Sequence, residues 1–194
     1  MQEIQPGIWH WEAPHPDWHP EWPHTDVSSY AIEVGGRLLI IDPLAVPSEI
    51  EELAAGSNPA IVLTNAWHRR DAIPLAERIK APIYVPPPDP ADPDPVPGEI
   101  YEVGDRLPVG VEAFPGREPN DPMLWIEAKR ALVSGDTLLD KGEGLMFPVD
   151  WVPDGVQPED VLDSLRPLLD LPVEIVLPTH GAPTDRAALE RALA

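Results

Sequence analysis

The stretch IVLTNAWHRRDAIPLAERIKAPIYVP, residues 61–86, switches between apolar runs and an amphipathic segment. Ala60 to Leu63 is a wholly apolar run of the kind that forms a buried strand, and Ile83 to Val85 is a second one. Between them, Asp71 to Ile79 has the pattern of a helix. The stretch therefore predicts a strand, a helix and a strand, with the polar segment 64–70 at the end of the first strand.

The residues before this unit predict a loop, a hairpin and a short helix. Residues 7–26 carry four histidines and four tryptophans among prolines and acids, so residues 1–27 are expected to be a His/Trp/Pro-rich loop segment: His10, His15, His19, His24, Trp9, Trp11, Trp18 and Trp22. The runs 30–34 and 37–41 are joined by Gly35-Gly36, the spacing of a tight hairpin. A helix is expected from Ser48, with Glu51 completing a capping box, to about Ala55.

The second half repeats this outline. Strands are predicted near residues 100–103, 109–114, 123–126, 131–133 and 174–177, with a long loop over 137–156. Helices are predicted from Pro158 to about Leu169 and after Thr184 as a cap. Residues 86–97 alternate proline and aspartate and predict a surface loop. Because each half joins hairpins to strand and helix units, we expect two packed sheets with helices outside, in a single domain over residues 1–194.

Composition excludes several classes of protein. The chain has 13 basic and 34 acidic residues, a formal net charge of -21, so nucleic acid and membrane surfaces are not expected as partners. There is no cysteine, which leaves any metal to His, Asp, Glu or water. The N-terminal residues have no signal-like pattern and no stretch has the length of a spanning helix, so we expect a cytoplasmic acidic protein.

Five polar clusters directly follow apolar strands: Asp42, residues 64–71, residues 115–121, Gly135-Asp136 and Thr179-His180-Gly181. Binding and catalytic residues gather at such strand ends. The functional site is therefore expected where these clusters meet.

In this order the clusters resemble the five motifs of the metallo-β-lactamase superfamily. Those motifs are a strand-ending Asp, a Thr-His-x-His-x-Asp-His loop, a Pro-Gly-His loop, a Gly-Asp bridge and a late His-Gly. The resemblance covers about residues 28–185 and lies in SSYAIEVGGRLLIIDPLAVP, the stretch 61–86, FPGREPNDPMLWIEAKRALVSGDTLL and IVLPTHGAPT. It implies an α/β (α+β) fold, a four-layer αββα sandwich, and a metal-dependent hydrolase.

The ligands that the resemblance implies are largely replaced. Aligned without a gap on Thr64, the four ligand positions of the second motif hold Asn65, Trp67, Arg69 and Arg70. Arg117 follows Pro115-Gly116 in place of the third motif's histidine. Asp136 and His180 stand in family positions, as the bridging carboxylate and the late histidine. A shift of one or two residues brings His68 and Asp71 near ligand positions.

A guanidinium donates hydrogen bonds and stays charged, so an arginine cannot ligate a metal. Arg70 or Arg117 near Asp136 would instead place a fixed cation where the metals bind in the family. We therefore expect that arginine has replaced metal and that the dinuclear site is lost. No cofactor is expected on this interpretation.

The preferred function is a hydrolase-like, metal-free binding protein or pseudoenzyme for a small anionic ligand. Arg70, Arg117, His68 and Asn65 would bind that ligand, with Asp136 and His180 as an acid–base pair. The alternative is a mononuclear hydrolase of an ester, amide or thioester that uses zinc or another divalent metal. Its ligands would be His68, Asp71, Asp136 and His180. The resemblance also implies a possible homodimer.

Overall fold

The computed structural model describes residues 1–20 and 25–194, and its main feature is a pair of large sheets. The first sheet keeps the order of the chain, with seven strands: β1 (Gln2–Gln5), β2 (Ile8–Pro14), β3 (Asp26–Val34), β4 (Arg37–Ile41), β5 (Asn58–Val62), β6 (Ile83–Val85) and β7 (Glu99–Ile100). The second has six strands in the order β15-β14-β11-β10-β9-β8: β8 (Arg106–Leu107), β9 (Val111–Phe114), β10 (Met123–Ile126), β11 (Ala131–Gly135), β14 (Ile175–Pro178) and β15 (Thr184–Asp185). A separate pair consists of β12 (Leu139–Asp140) and β13 (Leu145–Met146).

Three apolar cores hold the layers together. The central core joins side chains of both sheets, such as Ile32 and Leu39 from the first and Leu124 and Val133 from the second. Helices α1 (Ser48–Ala55) and α2 (Ala72–Ile79) cover the outer face of the first sheet. Helices α3 (Pro158–Leu165) and α4 (Arg186–Ala192) cover the second. The expected four-layer αββα sandwich of mixed α and β structure is confirmed.

The direction of the strands gives each sheet one edge where several strands end. In the first sheet β4, β5, β6 and β7 run parallel, and in the second β11 and β14 run parallel. Parallel strands need a crossover between them, so their carboxyl ends lie together and their connecting loops gather at one edge. The backbone N–H of Ser28 donates to Thr179 O at 2.9 Å, and the Tyr30 hydroxyl donates to Pro178 O at 2.6 Å. These bonds fasten β3 of the first sheet to the end of β14 in the second.

Most of the predicted elements are present, and several details are wrong. The hairpin around Gly35-Gly36 and the strand 83–85 form as predicted, and residues 86–98 contain neither helix nor strand. The expected loop before residue 27 is wrong, because β1 and β2 occupy residues 2–5 and 8–14. His24 and Trp22 lie outside the described residues. The expected caps are also wrong: no side chain of the described residues caps α1, and Asp185, not Thr184, caps α4 by accepting from the Ala188 N–H.

Shorter differences lie in the second half. The predicted strand 100–103 is limited to residues 99–100, and the loop 137–156 contains β12, β13 and a 3-10 turn at 149–151. The helix from Pro158 ends at Leu165 and continues as a 3-10 segment over 166–170, and a third 3-10 turn covers 127–129. These changes leave the strand-end loops in the predicted order.

Candidate metal centre

Three side chains from three strand-end loops meet at the edge shared by the two sheets. His68 lies in the loop after β5, Asp136 directly after β11, and His180 two residues after the end of β14. One ligand atom from each of the three lies within 4.8 Å of the others. His68 Nε2 is 3.4 Å from Asp136 Oδ2, and His180 Nε2 is 3.3 Å from Asp136 Oδ1. The two imidazoles therefore flank one carboxylate.

Asp42 fixes the orientation of His68. His68 Nδ1 lies 3.1 Å from Asp42 Oδ2, and Asp42 is fully buried at the end of β4. Thr64 holds the same carboxylate through its backbone N–H at 2.9 Å and its hydroxyl at 2.5 Å. Because the Nδ1–H of His68 donates to Asp42, its Nε2 is directed at Asp136.

Asp136 is ionised by its surroundings. Thr179 Oγ1 donates to Asp136 Oδ1 at 3.0 Å, and Asn65 Nδ2 donates to Asp136 Oδ2 at 3.3 Å. Burial opposes the charge, but His68 and His180 hold the pKa of Asp136 well below its usual range. Burial likewise opposes the imidazolium form of His68, yet Asp136 and Asp42 raise the pKa of His68 to about 9.

A second buried carboxyl, Asp121, lies behind Asp136. Asp121 Oδ1 accepts from the Asp136 N–H at 3.1 Å, and Asp121 Oδ2 lies 3.5 Å from Arg117 Nε. Burial and the nearby Asp136 charge raise the pKa of Asp121, against the opposing effect of Arg117. Asp121 was not among the residues predicted for the site, and its signal in the sequence is an acid two residues before β10.

The model of one protein family, described as the metallo-beta-lactamase superfamily, matches residues 59–180. The chain belongs to the metallo-beta-lactamase superfamily. Among curated proteins, none is a significant match.

Solved structures agree with this assignment. TTHA1623, solved in a di-iron-bound form, is 28% identical, with a TM-score of 0.63 over 86% of this chain and 93% of that chain. The DIM-1 metallo-beta-lactamase is 14% identical, with a TM-score of 0.69 over 99% of this chain and 94% of that chain. A metallo beta lactamase from Erythrobacter litoralis is 14% identical, with a TM-score of 0.67 over 99% and 89%. The last two show the fold alone.

Within this superfamily the donor set of the three-residue group fits a divalent metal ion. Imidazole nitrogen and carboxylate oxygen are the ligands that zinc and iron accept in proteins. A ligating histidine commonly donates its other ring N–H to a carboxylate, which is the arrangement of His68 with Asp42. The loss of metal binding that the sequence suggested is not shown, and a possible three-residue metal site is present.

The two arginines lie at the site but do not pair directly with Asp136. Arg70 Nη1 donates to Ser28 O at 2.9 Å and to Asp42 O at 2.8 Å. Arg117 contacts Glu118 and Asp121 and lies 5.7 Å from the centre of the Trp151 ring. The predicted ion pair with Asp136 is absent among the contacts of residues 1–20 and 25–194. Arg70 instead bonds to backbone carbonyls, and Arg117 lies against the Asp121 carboxyl group.

The remaining site residues divide into those that reach the group and those that do not. Asn65 is buried beside Asp136, and Trp67 points outward, with 56% of its surface exposed. Asp71 accepts from the Ala45 N–H at 2.7 Å and is outside the three-residue group. Two rings that were not predicted as site residues contact His180: His15, stacked at 5.7 Å, and Trp151, edge-on at 6.2 Å.

The outer surface of the site is a polar cleft. It has a volume of about 410 Å³, and its lining includes His15, Trp67, His68 and Arg70. A cleft of this size accepts a small molecule.

No helix among the described residues has the length and apolar character needed to span a membrane.

Proposed function

We propose that this protein is a hydrolase that holds one divalent metal ion through His68, Asp136 and His180. The observation that carries the proposal is the convergence of two imidazoles on one ionised carboxylate, with Asp42 orienting His68. This is the mononuclear alternative of the sequence analysis, with Asp71 left out of the ligand set. When bound, such an ion acts as a Lewis acid that polarises a carbonyl and lowers the pKa of water.

The charges around the group favour a single added cation. Arg70 lies against the backbone of Asp42, and Arg117 lies against Asp121, so each buried acid outside the ligand set has a guanidinium nearby. The charge of Asp136 remains for a cation at the group. A dinuclear site is not favoured, because Arg70 and Arg117 lie beside the group and an arginine cannot ligate a metal.

The side chains of this chain have separate roles in the proposed reaction. Asp136 and the two imidazoles bind the ion, and Asp42 keeps the Nε2 lone pair of His68 directed at it. Asn65 and Thr179 hold the Asp136 carboxylate in place by donating to its two oxygens. His15 and Trp151 pack on His180 and reduce its contact with bulk water. The substrate is a small ester, amide or thioester.

A second candidate is a metal-free protein that binds a small anion. The observation that favours it is the position of His68 between Asp42 and Asp136, where a proton on the imidazole would supply the missing positive charge. Arg70, which lines the cleft, would then bind a carboxylate or phosphate. A cytoplasmic location and a homodimer stay predictions on either candidate.

Metal content separates the two candidates. Purified, untagged protein is analysed by inductively coupled plasma mass spectrometry, as isolated and after dialysis against zinc, manganese or iron. We expect about one equivalent of bound metal, lost in each of His68→Gln, Asp136→Asn and His180→Gln. Asp71→Asn is the matched control and should keep its metal. Esters, amides and thioesters are then tested with the loaded protein.

Absence of bound metal under every condition, with a melting temperature that a chelator does not change, would overturn the metal proposal. In that case the metal-free candidate is tested by titrating phosphate and small carboxylates, with Arg70→Gln as the variant that should weaken binding. Metal bound equally by wild type and by all three ligand variants would place the ion elsewhere.

A further inference from the structure

An apolar cavity lies beside the three-residue group, and none of the residues that line it has a role in the reaction proposed above. It has a volume of about 330 Å³ and lies at the carboxyl ends of β5 and β6, under the proline-rich segment 86–97. Its lining includes Leu63, Val85, Val96 and Ile100. Cavities at this edge of parallel strands are common ligand sites.

The wall of the cavity has few groups able to bind a polar ligand. Four of its residues are prolines, which lack a backbone N–H: Pro86, Pro88, Pro95 and Pro97. Leu63 O accepts from the Tyr101 hydroxyl at 2.5 Å, and Val85 O accepts from the Tyr101 N–H at 2.9 Å. Since these carbonyls already have partners, the wall presents mainly hydrocarbon.

The cavity adjoins the polar cleft. Ala66 lies in the wall of both, two residues before His68. Arg69 fastens the proline-rich segment to this loop, because its Nη1 donates to Asp94 O at 2.8 Å and to Asp94 Oδ2 at 2.7 Å. At the rim, 60% of the surface of Ile100 is exposed. A ligand whose polar end lies in the cleft can therefore extend an apolar end past Ala66.

We propose that this cavity binds the apolar chain of the substrate, an aliphatic ester, amide or thioester whose scissile carbonyl lies at the metal group. A cavity of this size accepts a chain of about six carbons. The assignment to a substrate rests on the proposed function, but the affinity of the cavity for hydrocarbon does not. The prolines keep the segment ordered without a ligand, so the cavity is expected to bind in the absence of metal.

The first test uses chelator-treated full-length protein and the probes butanol, hexanol and octanol. Binding is followed by methyl NMR, with the signals of Leu63, Val85, Val96 and Ile100 as reporters. We expect these signals to shift and the affinity to rise about fourfold per methylene, the effect of burying one CH₂ group, up to about hexanol.

Two variants locate the binding. Ala66→Leu adds bulk to the shared wall and should weaken hexanol binding by about tenfold, while butanol binding changes less. Ile100→Asn removes apolar rim surface and should weaken it too. Leu53→Asn, a similar change at an exposed leucine of α1 that does not line this cavity, is the control and should bind as wild type does.

Shifts confined to other methyl groups, or an affinity independent of chain length, would overturn the proposal. The loaded protein gives the second test, with hydrolysis of acetyl, butyryl and hexanoyl esters: the specificity constant should rise with chain length, and Ala66→Leu should remove the rise. Chain-length-dependent alcohol binding without hydrolysis of any ester, amide or thioester would leave the cavity assigned as a hydrocarbon site and the proposed function wrong. Ester hydrolysis with a specificity constant that does not change with chain length would support the proposed function and overturn the assignment of the cavity.

Discussion

Asp42 makes no contact with a substrate in the proposed reaction, yet it governs the group through His68. Its carboxylate is fully buried and takes three hydrogen bonds, two from Thr64 and one from His68 Nδ1. Without it the ring of His68 is free to rotate or to change tautomer, and Nε2 no longer faces Asp136. A residue that orients a metal ligand in this way affects metal affinity even though it does not bind the metal itself.

Asp42→Asn tests this role. We expect it to weaken zinc binding by about tenfold to a hundredfold, the usual effect of removing the carboxylate partner of a ligating histidine. Zinc affinity is measured by competition with a chromophoric chelator. Asp71→Asn is the control, because Asp71 bonds to Ala45 and lies outside the three-residue group. Equal zinc affinity in Asp42→Asn and wild type would contradict the role of Asp42.

His68 also predicts a pH dependence of the metal-free protein. Its folded pKa is about 9, above the ordinary value of 6.5, so its contribution to stability is complete below pH 6.5 and is lost as pH rises through 9. The raised pKa of Asp121 also makes the free energy of unfolding fall as pH rises, and this fall begins at a lower pH than that of His68. In chelator, the free energy of unfolding should fall by on the order of 3 kcal/mol between pH 6.5 and 9.

Urea denaturation at several pH values measures this fall. His68→Gln should remove most of it, while His19→Gln, at an exposed histidine, should not. Saturating zinc should stabilise wild type more at pH 8 than at pH 6.5, because the metal displaces the proton of His68. A free energy of unfolding that rises with pH over this interval in the metal-free protein would contradict the assignment.

At the scale of elements, the loop 115–121 carries Asp121 and Arg117 and depends on a close approach at Gly116. A Cβ at Gly116 would lie 1.8 Å from Asp121 O and 2.7 Å from Thr137 Oγ1. The same Thr137 oxygen accepts from the Arg117 N–H at 2.8 Å and lies 3.1 Å from Asp121 Oδ2. Any side chain at position 116 would collide with Asp121 and Thr137, so glycine is required for the loop to pack against Thr137, just after β11.

Gly116→Ala should displace this loop and destabilise the protein by on the order of 3 kcal/mol, the upper part of the usual range for single substitutions. Zinc affinity should fall as well, because Asp121 supports the backbone of Asp136. Gly56→Ala is the control: its nearest atom beyond the chain neighbours is Leu53 O at 3.8 Å, and the change should alter stability by less than about 0.5 kcal/mol. Calorimetry of both variants in chelator measures the difference, and equal melting would contradict the close packing.

Elements with a strong local pattern were predictable, and those set by distant pairing were not. The hairpin 30–41 and the strand 83–85 have short, mainly apolar runs and form as predicted. β2 was missed because its buried residues Ile8, Trp11 and Ala13 stand among polar and proline residues with no regular alternation, and the strand exists through its seven-residue ladder with β3. Such a ladder joins distant parts of the chain and leaves little local signal.

The same limit applied to the candidate site. Asp136 directly follows a strand and His180 comes two residues after one, so their place at the sheet edge was predictable from the chain alone. The loop after β5 was harder, because a shift of one residue decides which ring turns inward: His68 does, and Trp67 turns out to solvent. Hydrogen bonds to Asp42 and Asn120 set that turn, and both partners are distant in sequence.

For the whole molecule, the net charge of -21 sets the response to salt. The 34 acidic residues exceed the 13 basic ones, so unpaired acids repel one another across the surface and destabilise the folded state. Salt also screens exposed ion pairs such as Arg69 with Asp94 and Arg130 with Glu174. Each such pair contributes only about 0–1 kcal/mol, so relief of repulsion should exceed the loss of pairing.

Raising NaCl from 0.01 to 1 M shortens the screening length from about 30 to about 3 Å. We expect the melting temperature of the chelator-treated protein to rise by about 2–4 °C for each kcal/mol of repulsion removed. The metal group is shielded by burial, so its zinc affinity should fall with salt only through the weaker long-range attraction of cations to the acidic surface. KCl at equal ionic strength should act as NaCl does, since screening depends on charge and not on the identity of the ion. A melting temperature that falls with salt would mean that the exposed ion pairs outweigh the surplus of acids.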